Sequence, residues 1–159
     1  MTDFIIRKIK DVCKLSDQFN SDSIIIDNEE VKYGSYSNSY QKIDNVNMKY
    51  VYYYLYHYLD DNDIENIEIK FPSVHEQTAI VNRLDFLNKL NDTAVSRISD
   101  LKMQKDFYVD NFHKGTIDYC ELSDYIDKND NRIEELEKDI DESEILAIQF
   151  ISGIIEPDE

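Results

Sequence analysis

The sequence predicts an α+β fold: a small mixed N-terminal α/β domain, then a long coiled-coil helix, then a second, acidic helix. Three observations predict it. The first 72 residues contain β-branched runs separated by turn residues, residues 80–112 carry an unbroken heptad series, and an acidic C-terminal segment carries a weaker one. We therefore divide the chain into a domain at 1–72, a spacer helix at 73–115 and an acidic helical tail at 116–159.

Composition limits the class of protein. The 159 residues include 34 acidic and 17 basic side chains, and the net charge of −17 argues against broad, non-specific binding of nucleic acid, because contacts to phosphate need cations. Three glycines and two prolines are too few for a turn-dense β-sandwich or barrel. No apolar run reaches about 18 residues, so we expect no membrane-spanning helix.

The two cysteines and the N-terminal residues indicate the cellular compartment of the protein. Cys13 and Cys120 have no metal-ligand spacing, so we interpret them as reduced thiols. The opening MTDFIIRKIKD lacks the long apolar stretch of a signal peptide. We expect a cytoplasmic protein, or one in a similarly reducing compartment.

The first segment mixes short strands with one helix. FIIRKIKDV alternates weakly and predicts a strand, and SIIIDNEEVKYGSYS predicts a β-branched strand with a turn at Gly34. In NVNMKYVYYYLYHYL the apolar residues recur at helical spacing, and Asn45 or Asn47 can cap the helix N-terminus. DIENIEIKFP alternates apolar and polar residues and predicts a strand that ends at Pro72.

The second segment carries the strongest pattern in the sequence. Ser73 and Glu76 form a capping-box pattern, and Gly115 is a helix-stop residue. Between them the a and d positions of the heptad are Ile80, Leu84, Leu87, Asn91, Ala94, Ile98, Leu101, Lys105, Tyr108 and Phe112. A single helix over 76–114 is about 58 Å long, and we expect these ten residues to form a coiled-coil interface. A core helix of a globular domain is the alternative.

The third segment is strongly acidic and carries a second, weaker heptad. Residues 116–159 contain 3 basic and 15 acidic side chains. The heptad positions are Ile126, Ile133, Leu136, Ile140, Ala147, Phe150 and Ile154. This segment either folds back on the first long helix or pairs between subunits, and its acidic face is by default a solvated surface.

Catalytic motifs are absent from the sequence. His57, His75 and His113 lie in different segments, each without a second metal ligand at a suitable spacing. The sequence has no GxGxxG, no P-loop and no nucleophile elbow. We therefore expect a protein that is not an enzyme, with no catalytic residues, no metal site and no cofactor.

Tyrosines are concentrated in one region. Nine of the twelve lie between Tyr33 and Tyr58, and lysines are interleaved with them. Tyrosine has an apolar body and a polar tip, which suits either a helix packed on a small sheet or a contact surface for nucleic acid or protein. On the second interpretation, the candidate DNA-contacting residues are Lys32, Lys42, Lys49, Tyr50 and Tyr54.

A stretch that begins at Asn47 and ends at Asn91 resembles the specificity subunit of type I restriction–modification enzymes. That family has a helix with a YYYL motif, then an I-x-I-x-x-P strand, an E-Q turn, an I-V-x-x-L-D motif and a long helix with L-K. The matching residues here are Ile67, Ile69, Pro72, Glu76, Gln77, Ile80, Val81, Leu84, Asp85, Leu101 and Lys102. The opening RKIKDVCKLSD resembles the start of a target-recognition domain.

This resemblance implies a recognition module without catalytic activity of its own. In the family, a mixed α/β target-recognition domain reads half of a split DNA sequence, and the long helix forms an antiparallel coiled coil with its counterpart. The coil sets the distance between the half-sites and docks the methyltransferase subunits. The expected partners are therefore DNA, methyltransferase subunits and a second copy of this chain in a homodimer or higher oligomer.

A second hypothesis uses the same features differently. The acidic balance, the short first domain and the second heptad helix are also typical of an assembly or structural protein that has kept the scaffold and lost DNA readout. Such a protein would be a scaffold, a particle component or an acidic, DNA-mimicking decoy.

Overall fold

A computed structural model describes residues 3–59 and 63–152. The chain divides into two compact units. The first unit comprises Met1–Leu84 and Phe150–Glu159, and the second comprises Asp85–Gln149. Within the described residues the fold is mixed: two small antiparallel sheets belong to the first unit, and the second unit is helical.

Six strands form the two sheets of the first unit. Their bounds are β1 (Ile5–Lys8), β2 (Cys13–Ser16), β3 (Asn20–Asp27), β4 (Glu30–Tyr36), β5 (Ser39–Lys42) and β6 (Glu68–Phe71). Strands β1 and β6 pair antiparallel, and the other four form an antiparallel sheet in the order β2-β5-β3-β4. In the four-stranded sheet Ile24 of β3 pairs with both Tyr33 of β4 and Tyr40 of β5.

The turn between β3 and β4 lies at Asn28 and Glu29, and the turn predicted at Gly34 is wrong. Both residues have positive φ, 48° and 67°, as a two-residue hairpin of the primed type requires. Gly34 instead lies inside β4, opposite Ser23. The turn after Gly34 lies further along the chain, at Ser37 and Asn38 between β4 and β5, where Asn38 has φ 50°.

The strand predicted at the start of the chain is only partly correct. It ends at Lys8, and a four-residue helix, α1 (Ile9–Val12), follows. Ile9 and Val12 are both buried, and the Ile9 N–H donates to the carbonyl of Ile67 at 3.0 Å. This one turn of helix carries the chain from the two-stranded sheet to the four-stranded sheet.

Helix α2 (Met48–Tyr58) packs against both sheets. Asn47 caps its N-terminus, because the Asn47 side chain accepts from the backbone N–H groups of Lys49 and Tyr50. Against the two-stranded sheet, the ring of Tyr50 lies 5.8 Å from that of Phe71. Against the other sheet, Tyr52 lies 5.8 Å from Tyr33.

Helix α3 (Val74–His113) has 40 residues, about 60 Å, and the predicted capping box is confirmed at its start. The Glu76 N–H donates to Ser73 Oγ, and the Ser73 N–H donates back to a Glu76 carboxylate oxygen, both at 3.2 Å. No helix in the described part of the chain combines the length and the apolar character that a bilayer crossing needs.

The end of α3 is closed by Gly115, as the sequence predicts. Gly115 has φ +75°, its N–H donates to the carbonyl of Phe112, and the Thr116 N–H donates to the carbonyl of Asn111. This pair of bonds is the Schellman motif. Helix α4 (Tyr119–Ser152) follows, and its first turn is capped by Asp118, whose carboxylate accepts from the Glu121 N–H at 2.8 Å.

Candidate nucleic-acid interface and helical seam

Tyr50, one of the five candidate DNA contacts, belongs to the core of the first unit. Its side chain is 1% exposed, and its hydroxyl donates to the carbonyl of Lys70 at 2.7 Å. Burial raises the pKa of this phenol, so the hydroxyl stays protonated and remains a donor. A buried side chain cannot contact a DNA duplex, so we remove Tyr50 from the candidate interface.

Rings from β4 and α2 form a continuous line on the surface of the first unit. We call Tyr33, Tyr52 and Tyr56 the tyrosine ladder: the Tyr52 ring centroid lies 5.8 Å from that of Tyr33 and 6.0 Å from that of Tyr56. Tyr33 and Tyr52 are half-buried, and Tyr56 is exposed. Lys49 lies over the ladder at one end, with its Nζ 5.8 Å from the Tyr33 centroid.

Lys42 is joined to the same end of the ladder through a carboxylate. The Tyr33 hydroxyl donates to one oxygen of Asp22 at 2.5 Å, and Lys42 Nζ lies 3.9 Å from the other. The structure thus brings two of the predicted cations, Lys42 and Lys49, to one ring. The ammonium groups of Lys42 and Lys49 and the carboxylate of Asp22 therefore all lie around Tyr33.

Lys32 and Tyr54 are placed elsewhere. Lys32 precedes Tyr33 in β4, so alternation along the strand directs it to the other face of the sheet, where its Nζ lies 3.6 Å from Glu30. Tyr54 is half-buried and lies one helical turn after Tyr50. The five candidate residues therefore do not form one surface.

In the second unit the predicted stripe of α3, formed by the a and d positions of its heptad, packs against α4 of the same chain. Ile98 and Leu101 form a buried cluster with Ile133 and Leu136 of α4. Ala94 and Ile140 pack against this cluster. The predicted stripe therefore has an intrachain partner, which decides between the two paths that the sequence left open for the acidic segment.

Polar and aromatic contacts show that the two helices run antiparallel. Later residues of α3 meet earlier residues of α4: Lys105 Nζ lies 2.7 Å from an Asp130 carboxylate oxygen, and the Tyr108 and Tyr125 rings are stacked with centroids 3.4 Å apart. One buried polar side chain lies in this seam. Asn129 Nδ2 donates to the carbonyl of Leu101 at 3.3 Å.

The remaining stripe positions are all shielded to some degree. In the second unit Leu87, Asn91, Ala94, Lys105, Tyr108 and Phe112 are half-buried. In the first unit Ile80 is half-buried and Leu84 is buried. Beside Leu84, the Arg83 guanidinium lies 5.5 Å from the Phe150 ring of α4. Ile154, the last heptad position that the sequence predicts, lies outside the described residues.

One side of α4 carries a row of carboxylates, which we call the acidic stripe. It consists of Asp127, Asp130, Glu134, Glu137, Asp141 and Glu144, all exposed. Their spacing of three and four residues places them on one side of the helix, about 5 Å apart along its axis. Two of the three basic residues of α4 pair elsewhere: Arg132 with Glu135, and Lys138 with Glu142.

Four contributors to the surface were not among the candidate contacts from the sequence: Tyr33, Tyr52, Tyr56 and Asp22. The three tyrosines belong to the tyrosine-rich region but not to the five candidate residues, and Asp22 carried no signal, because a lone carboxylate in a strand looks like any surface residue. Within residues 3–59 and 63–152, no three His, Cys, Asp or Glu side chains are grouped as a metal site would need.

Comparison with known proteins gives one similar structure. No protein-family model matches the sequence, and no curated protein matches it. The fold is similar to the crystal structure of the S subunit of a type I restriction–modification system from M. genitalium, with 16% identity and a TM-score of 0.52. The match covers 77% of this chain and 48% of that chain, so this chain spans about half the length of the S subunit. The likeness shows the fold: a mixed α/β unit joined to long helices, as in an S-subunit domain.

Proposed function

We propose that this chain is a non-catalytic DNA-specificity module of a type I restriction–modification-like complex. The observation that carries the proposal is the likeness of fold, in which a small sheet domain leads into a 40-residue helix over 77% of the chain. The motif order from the YYYL helix to the long helix supports the same function independently. The helical hairpin then acts as the spacer and as the docking site for methyltransferase subunits.

Within the first unit, we assign DNA contact to the tyrosine ladder with Lys42 and Lys49. Two ammonium groups beside a row of phenol rings combine phosphate contact with aromatic surface. Tyr56 adds an exposed ring one turn beyond Tyr52. Residues 116–159 hold 15 acidic and 3 basic side chains, so most of the chain's net charge of −17 comes from that segment and not from the residues of the ladder.

Fluorescence anisotropy with short duplexes, at low salt and then over a salt series, tests this function. We expect binding that weakens with salt, because cations of the protein replace counterions of the duplex. Removing two phosphate contacts in a Lys42→Ala/Lys49→Ala variant should reduce the log–log salt slope by roughly 2. No binding with or without a methyltransferase subunit would remove the proposal.

A matched control separates this surface from general charge loss. A Lys10→Ala/Lys70→Ala variant removes two exposed lysines of the same unit that lie outside the ladder. We expect this control to retain the wild-type salt slope. Equal losses in the two variants would mean that lysines across the first unit contribute alike, and would exclude the ladder as the contact surface.

The acidic stripe favours a second candidate function, an acidic scaffold or DNA-mimicking decoy. A carboxylate about every 5 Å approaches the charge spacing of a DNA strand, which is about 3.4 Å per phosphate. Only Asp130 of the stripe has an ion-pair partner within 4 Å in the described part of the chain. Such a row fits the cationic groove of a DNA-binding protein.

Competition distinguishes this function from DNA recognition. A decoy should displace duplex from a DNA-binding partner, such as a methyltransferase subunit, without binding duplex itself. Replacing Glu134, Glu137 and Asp141 by their amides should weaken that displacement. Displacement that is unchanged in the triple variant would exclude the stripe as the mimic.

A further inference from the structure

Tyr56 is the ladder ring that is open to solvent, and its neighbours fix its position. The residue is 60% exposed, whereas Tyr33 and Tyr52 are half-buried. The Tyr52 ring lies 6.0 Å from the Tyr56 ring with a tilt of 48°, and the His57 ring lies edge-on at 5.2 Å. A ring that is already held by two neighbours loses little conformational entropy when a ligand packs on its exposed surface.

The residue types of the ladder suit the faces of bases better than their edges. In a duplex, a guanidinium or an amide side chain identifies a base by two hydrogen bonds to its edge. The ladder has phenol rings instead, and Lys42 and Lys49 place ammonium groups around Tyr33, with Asp22 between Tyr33 and Lys42. Ammonium groups for the backbone and aromatic rings for stacked bases are the combination with which proteins bind single strands.

We propose that Tyr56 is a stacking platform for an unpaired base of single-stranded DNA, whose backbone continues to Lys42 and Lys49. This inference names the form of DNA that the ladder binds, and it rests on the proposed assignment of DNA contact to the ladder. Inside a duplex both faces of each base are covered by neighbouring bases, so Tyr56 has no base face to contact. In a single strand a base face is free to pack on the exposed ring.

The length of the ladder fits a short segment of one strand. Two steps of 5.8 and 6.0 Å lead from the Tyr33 centroid, where the lysines lie, through Tyr52 to Tyr56. With about 3.4 Å per nucleotide along a stacked strand, roughly three or four nucleotides cover this distance. One strand can therefore contact the lysines and the exposed ring at the same time.

A single indole at position 56 reports the contact directly. The chain has no tryptophan, so Tyr56→Trp supplies all of the indole fluorescence, which stacking on a base quenches. We expect quenching by a twenty-nucleotide single strand, and little quenching by the same strand annealed to its complement. Tyr119→Trp, at a 69% exposed tyrosine of the second unit, is the matched control and should not be quenched by either.

Fluorescence anisotropy with the same two DNA molecules at low salt measures the affinities. Tyr56→Ala should weaken binding of the single strand roughly 5- to 150-fold, which is the range for the loss of one stacked base. The same change should leave duplex binding unaltered, because the duplex offers no base face to this ring. Tyr56→Phe retains the ring and should retain the affinity, and circular dichroism checks that each variant is folded.

The outcomes separate this inference from the proposed function. Equal effects of Tyr56→Ala on single-strand and duplex binding would overturn the stacking platform and leave the specificity function standing. Unquenched Tyr56→Trp fluorescence with the single strand bound would do the same. No binding of either form of DNA would contradict the proposed function, and the stacking platform with it.

Discussion

Gln77 of α3 is hydrogen-bonded to Asn47, the residue that caps α2. The Asn47 N–H donates to Gln77 Oε1 at 2.9 Å, and Gln77 Nε2 donates to the carbonyl of Pro72 at 2.9 Å. Gln77 is buried, so both backbone groups depend on this one amide. A single side chain therefore ties the start of the tyrosine-rich helix to the start of the long helix.

We expect Gln77→Ala to destabilise the first unit by about 2 kcal/mol, because it leaves a half-buried donor and a buried acceptor unpaired. Urea unfolding measures the change. Gln18→Ala, which truncates an exposed glutamine of the same unit, should cost less than about 0.5 kcal/mol. Equal effects of the two changes would show that the amide bridge does not stabilise the fold.

Gly115→Ala should destabilise the helical hairpin by about 1 kcal/mol. The cost comes from the backbone, because φ is +75° and no atom lies within 4 Å of the position of an added Cβ. Gly115→Asn should cost less, since asparagine tolerates the left-handed region better than alanine. Thermal unfolding of the parent chain and of the two variants measures their stabilities. Equal stability of the alanine and asparagine variants would contradict the cap assignment.

Leu101→Ala should destabilise the second unit by about 2–4 kcal/mol. Leu101 is buried in the cluster with Ile98, Ile133 and Leu136, and truncation leaves a cavity there. Lys102→Ala, at the next and exposed position, is the control and should change stability by less than about 0.5 kcal/mol. The free energy of unfolding in urea measures both changes. A small effect at Leu101 would mean that α4 does not cover the a and d positions of α3.

Cys13 should make the folded state less stable at alkaline pH. Burial raises the pKa of the Cys13 thiol from 9.0 to about 12. The unfolded chain therefore loses this proton near pH 9 while the folded chain retains it, so stability present below pH 9 falls as the pH rises toward 12. The slope of unfolding free energy against pH over this window should be smaller in Cys13→Ala than in the parent.

The two cysteines should also differ in their rates of alkylation. Cys120 is exposed and Cys13 is buried, so at pH 8 one thiol should react with iodoacetamide at once and the other only on unfolding. Cys120→Ser should have no fast thiol. Fast reaction of a thiol in that variant would show that Cys13 is accessible and would also remove the reason for its raised pKa.

Local patterns in the sequence predicted the helices well. The heptad from Ile80 to Phe112, the capping box at Ser73 and the stop at Gly115 are each defined by residues within one turn or one repeat of each other, so spacing alone identifies them. The partner of the stripe could not be predicted, because a heptad specifies that a helix must pack but not whether its mate lies in the same chain.

The candidate interface was harder to predict for a related reason. A helix such as MKYVYYYLYHY has rings on every side, so its sequence does not say which ring meets a sheet and which meets solvent. Tyr50 is buried where α2 meets Phe71 of the two-stranded sheet, whereas Tyr56, one turn after Tyr52, is exposed. The link from Lys42 through Asp22 to Tyr33 joins three strands, and no spacing along the chain encodes it.

Selection from a pool of random-sequence duplexes tests the proposed specificity function most directly. The full chain, alone and with a type I methyltransferase subunit, is bound to the pool at moderate salt, and the retained duplexes are sequenced. Our account expects an enriched sequence motif that is lost in the Lys42→Ala/Lys49→Ala variant and kept in the Lys10→Ala/Lys70→Ala control. Retained duplexes with no shared motif in either condition would contradict it.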